Sequence, residues 1–62
     1  MTPRTWTTVE DYLRDGAPAK VRMCVGSLCF YNLSGTDIIR REDEMRDMEL
    51  DLSQLIITEE SA

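Results

Sequence analysis

Cys24 and Cys29 are the only thiols in this chain, and it contains no histidine. A soft metal site takes four thiolate or imidazole ligands, so Cys-x4-Cys alone does not make one. Two readings of the pair stay open: a bridge that opens and closes with redox state, or two small, half-buried hydrophobes. The other chemically active groups are carboxylates. From Glu42 to the end stand eight acids (Glu42, Asp43, Glu44, Asp47, Glu49, Asp51, Glu59, Glu60) and one base, Arg46. From Met1 to Arg41 stand six bases (Arg4, Arg14, Lys20, Arg22, Arg40, Arg41) and four acids (Glu10, Asp11, Asp15, Asp37). The whole chain carries −5, so a weakly basic first part is joined to a strongly acidic last third.

Such an array has three readings: a solvated outer face, a carboxylate surface that meets an Arg/Lys-rich partner, or a calcium or magnesium site. The last lacks the central glycine and closing glutamate of an EF-hand loop. Paired carboxylates can do acid–base work, but without histidine or a nucleophile–base pair no catalytic constellation emerges. The expectation is a protein that is not an enzyme and holds no metal or cofactor. The charge is also wrong for binding a phosphate backbone directly.

The elements that position these residues come next. Thr7-Thr8-Val9-Glu10 fits a capping box, with Glu10 reaching back to Thr7. Val9, Tyr12 and Leu13 form the stripe of a short helix from about Thr8 to Asp15, which Gly16 ends and Pro18 keeps from continuing. Lys20 to Leu33 reads as a β-hairpin around Gly26-Ser27, a pair suited to a type II′ turn. That register sets Val25 opposite Leu28, Cys24 opposite Cys29, Met23 opposite Phe30 and Arg22 opposite Tyr31. One face then carries Val21, Met23, Val25, Leu28 and Phe30 to the core. The other carries Arg22, Cys24, Cys29, Tyr31 and Leu33, and needs a second cover.

After the turn signal Ser34-Gly35-Thr36-Asp37, residues 38–48 have two readings. Arg, Glu and Met favour a helix, in which Glu42 would pair with Arg46 and Asp37 with Arg41. The apolar stripe is thin, however, and Met48-Glu49-Leu50-Asp51-Leu52 alternates cleanly, so strands are preferred, with Glu42-Asp43-Glu44 as a turn. Ser53-Gln54-Leu55 breaks the alternation, and Ile56-Ile57-Thr58 is strand-like.

Sixty-two residues make a single small domain over 1–62, with 1–6 and 59–62 frayed. A chain of this size buries only about 60% of its unfolded surface, which makes self-association a natural source of added stability. No segment is long and apolar enough for a membrane span. The first residues lack a signal-peptide core, and a reducing cytoplasm is expected; for a phage-encoded protein this would be the host's.

The fold class expected is α+β: a short N-terminal helix followed by a small antiparallel β-meander or SH3-like barrel. In element order the chain resembles the Sm-like family of small barrels. The Val9–Leu13 helix, the Gly26-Ser27 hairpin and the stretch from Met48 to Ile57 carry the resemblance. The last looks like the fourth strand, 3₁₀ turn and fifth strand of such barrels. The family's RNA-binding residues have no counterparts here. The resemblance therefore implies assembly through strand edges and not an RNA activity.

The expected function is a small acidic protein-binding module, an inhibitor or adaptor of the phage anti-defence kind. It would use Glu42, Asp43, Glu44, Asp47, Glu49 and Asp51 to occupy a basic, nucleic-acid-binding surface of another protein. The alternative is a homo-oligomeric assembly subunit, with Trp6, Tyr31 and Leu33 at the contact.

Overall fold

The computed structural model describes residues 3–60. The expected fraying of residues 1, 2, 61 and 62 lies outside the described residues. Chain order is β1 (Thr5–Trp6), α1 (Val9–Arg14), β2 (Val21–Val25), β3 (Leu28–Leu33), α2 (Gly35–Asp47), a 3₁₀ turn (Leu52–Gln54) and β4 (Leu55–Glu59). The class is α+β, as expected. The strands form one antiparallel sheet in the order β1-β4-β2-β3. It is an open sheet with edges at β1 and β3, not a meander closing into a barrel. Thr5, Trp6 and Glu59, expected in the frayed ends, are strand residues.

Helix α1 starts one residue later than the Thr7 box implies. The Thr8 hydroxyl accepts from the Asp11 amide at 3.1 Å, so Thr8 is the N-cap. Adjacent threonines allow this slip, and Thr8 places two acids, Glu10 and Asp11, in the first turn, where the helix dipole favours them. Gly16, at φ 96°, closes the helix as expected. Its amide bonds the Leu13 carbonyl at 3.1 Å and the Ala17 amide bonds the Tyr12 carbonyl at 3.2 Å, the paired bonds of a Schellman end.

The hairpin forms in the expected register from Val25/Leu28 to Met23/Phe30. Gly26 takes the φ of 63° that the first turn position requires. Beyond Phe30 the register departs from expectation: a bulge sets Val21 opposite Leu33, with Asn32 at φ 56°. The extra residue turns Leu33 onto the core face.

Residues 38–47 are helical, with Met48 as the C-cap, correcting the strand preference. Ser34 and Asp37 make a full capping box: the Asp37 carboxylate accepts from the Ser34 amide at 3.1 Å, and the Ser34 hydroxyl accepts from the Asp37 amide at 3.4 Å. The same Ser-x-x-acid pattern is legible in the sequence. The thin stripe suffices because Ile38 and Met45 are fully packed, while the gap is filled by Arg41, whose guanidinium lies 4.5 Å from the centre of the Phe30 ring. Asp37 serves the cap, and Arg41 pairs with Glu44 at 3.4 Å instead.

Alternation puts Trp6, Val21, Met23, Val25, Leu33, Leu55 and Ile57 on one sheet face, where α1 adds Val9 and Tyr12 and α2 adds Ile38 and Met45. Burying one large aliphatic side chain contributes roughly 1.5–3 kcal/mol. The opposite face, with Thr5, Arg22, Tyr31 and Ile56 exposed, carries no buried residue among those described.

Candidate functional site at the acidic end of the second helix

Helix α2 begins with its charges in order and ends with them reversed. Its N-terminus holds Asp37, whose carboxyl sits below the usual range because the Ser34 backbone amide and then the Ser34 hydroxyl donate to it. Its C-terminal half and the turn after it contain Glu42, Asp43, Glu44, Asp47, Glu49 and Asp51 against the single base Arg46. A helix C-terminus carries about half a negative charge, and carboxylates there are unfavourable.

Some of these acids are neutralised locally. Arg46 reaches Glu42 at 3.4 Å and Asp43 at 3.2 Å, and Arg41 reaches Glu44 at 3.4 Å. Such pairs support an exposed helix by roughly 0.2–0.5 kcal/mol each. Asp51 caps the 3₁₀ turn, accepting from the Ser53 hydroxyl at 2.6 Å and the Ser53 amide at 3.1 Å, and these bonds hold its carboxyl below the usual range. Asp47 and Glu49 have neither an ion pair nor a side-chain hydrogen bond among the described residues.

Glu49 is placed against the fold's preference a second time. It follows the C-cap Met48 with φ 59°, in the left-handed region. Its amide bonds the Arg46 carbonyl at 3.0 Å, and the Leu50 amide bonds the Met45 carbonyl at 3.0 Å. This is the Schellman end again, with half-buried Leu50 packed on the core beneath it. In α1 the equivalent position is Gly16; in α2 it is a charged residue with a Cβ.

The expected acidic set therefore divides. Glu42, Asp43, Glu44 and Asp47 lie on the helix, and Glu49 and Asp51 lie in the turn after it, not on the alternating strand that the pattern of residues 48–52 implied. Glu59 belongs elsewhere, at the far end of β4. Arg4 donates its guanidinium at 3.1 Å and its amide at 2.8 Å to that carboxylate, and these bonds, the guanidinium's first, lower its pKa. Glu60 accepts from the Asn32 amide at 2.6 Å, beside the bulge. Among the described residues no group of three or more His, Cys, Asp or Glu is placed to hold a metal ion.

Cys24 and Cys29 face each other across β2 and β3 and are joined in a disulfide. Of the three expected self-association residues only Tyr31 is exposed. Leu33 is turned inward by the bulge. Trp6 packs edge-on against Tyr12 with ring centres 5.3 Å apart, and its indole donates to Asp15 at 2.7 Å. Arg22 and Tyr31 make no cation–π pair among the described residues; Arg4 over Trp6 and Arg41 over Phe30 are the contacts formed.

Comparison with known proteins finds no matching family model, no matching curated protein and no matching solved structure. No helix among the described residues is long and apolar enough to cross a membrane.

Proposed function

We propose that this chain is a small protein-binding module, an inhibitor or adaptor, that presents the acidic end of α2 to a basic surface of another protein. The observation that carries the reading is the placement of Asp47 and Glu49. Both stand at the negative end of the helix with no ion pair among the described residues, and Glu49 also occupies a left-handed position that glycine fills at no cost. The fold gains nothing from either charge. A guanidinium- or ammonium-rich partner relieves both the repulsion among the carboxylates and their conflict with the dipole.

The chemistry of the partner follows from the spacing. Carboxylates on successive helical turns and on the turn beyond present separated single charges, as a phosphate backbone does. Basic surfaces built to hold nucleic acid are therefore the class of target, and electrostatic complementarity would speed the encounter and select the partner. The test is competition. The wild-type chain displaces nucleic acid from the target, and the triple variant Asp47→Asn, Glu49→Gln, Asp51→Asn does not. Displacement by the triple variant at wild-type strength, with the fold intact by circular dichroism, overturns the reading.

A further inference from the structure

We propose that the free edge of β3 is a self-association surface, where a second copy of the chain adds its own β3 antiparallel about a two-fold axis passing through Phe30.

The backbone leads to this. A two-residue hairpin loop makes Val25 and Leu28 the hydrogen-bonded pair, and hydrogen-bonded pairs alternate along an antiparallel ladder. Leu28 and Phe30 therefore turn their amides and carbonyls towards β2. Cys29 and Tyr31 turn theirs outward, and β3 is the last strand of the sheet. No hydrogen bond among the described residues occupies these outward groups.

Edges in monomeric proteins are blunted by charge, proline, shortness or a bulge. The β1 edge is blunted: it is two residues long and preceded by Pro3 and Arg4. The β3 edge is not. Leu28-Cys29-Phe30-Tyr31 carries no charge and no proline, its bulge comes only at Asn32, and Tyr31 is 62% exposed.

The occupant is identified by fit. With Phe30 on the axis, Cys29 of each copy stands opposite Tyr31 of the other, so every outward amide and carbonyl of the two strands is used. On the outer face each Tyr31 ring then lies beside the other copy's disulfide, a favourable sulfur–aromatic contact.

The measurement is light scattering across a concentration series, with amide hydrogen exchange read by NMR on the same samples. The expected result is a concentration-dependent dimer in which the Cys29 and Tyr31 amides gain protection as the dimer fills. Tyr31→Pro removes an amide that the monomer does not use, at a position where an edge strand accepts proline, and weakens the dimer by about tenfold or more. A monomer at millimolar concentration, or a dimer in which those two amides exchange as fast as in the monomer, overturns the proposal. So does a folded Tyr31→Pro variant that dimerises as the wild type does. Should that variant not fold, the wild-type exchange data decide alone. Only this chain is in the assay, so the outcome is separate from that of competition for a basic partner.

Discussion

Replacing Glu49 by glycine should make the protein more stable while removing one charge from its acidic end. Glu49 holds φ at 59° as the residue after the α2 C-cap. An L-residue in that region costs roughly 1–2 kcal/mol relative to glycine. Glycine's greater freedom in the unfolded chain returns about 0.4–1 kcal/mol of this. Taking a carboxylate away from the negative helix end adds roughly 0.3–1 kcal/mol. The net gain is about 1 kcal/mol, which for a domain of this size raises Tm by roughly 4–8 °C. Thermal and urea melts of Glu49→Gly and Glu49→Gln separate the two contributions, since glutamine keeps the backbone cost and removes only the charge. Glutamine should gain a few tenths of a kcal/mol and glycine the rest. A Glu49→Gly variant that melts at or below the wild type refutes the argument for a penalised helix end. Gly16→Ala is the mirror experiment: a Cβ there meets no neighbouring atom, so only the φ of 96° opposes it, and the loss should be about 1 kcal/mol.

Three further outcomes follow from the fold. Ile38→Ala should cost about 3 kcal/mol because Ile38 is fully buried, whereas Ile39→Ala, at a side chain 45% exposed, should stay within about 0.5 kcal/mol in urea melts. Replacing both cysteines by serine should leave the fold intact at a cost of no more than about 2 kcal/mol, since the closed loop is short; a chain that unfolds on this change would show that the bridge is required. Stability should fall on acidification. The carboxyls of Asp37, Asp51 and Glu59 have folded pKa values below their unfolded ones. Their contribution is therefore complete above the unfolded values, near about 4, and is lost as pH drops through the lower folded values. Urea midpoints between about pH 5 and pH 3 should show the decline, and Asp37→Asn should flatten it.

The acidic end was visible as composition but not as a site. Counting charges finds the carboxylates, while alternation at Met48–Leu52 suggests a strand that would space them along one face. Neighbouring signals pointed the other way. Ser34 and Asp37 have the capping-box spacing, and Arg41 can cover apolar surface with its stem while its guanidinium lies over Phe30. Whether that arginine faces a ring depends on which strand α2 packs against, and nothing within residues 35–48 states it. Glu49 gave no signal either, because glutamate is a poor marker for a left-handed position.

What the sequence by itself determined is local. The threonine cap and Gly16 bound α1, Gly26-Ser27 sets the hairpin register, and that register brings Cys24 opposite Cys29. Each rests on backbone geometry within a few residues and needs no distant partner. Tertiary structure decided the rest. Ladder β1–β4 pairs Thr5 with Thr58, and β4 inserts between β1 and β2. Trp6 is thereby buried against Tyr12, and the Asn32 bulge turns Leu33 inward. A 3.6-residue or two-residue period says which side chains share a face. Only the long-range pairing of strands says which face is covered, which is left to solvent, and which edge is left open.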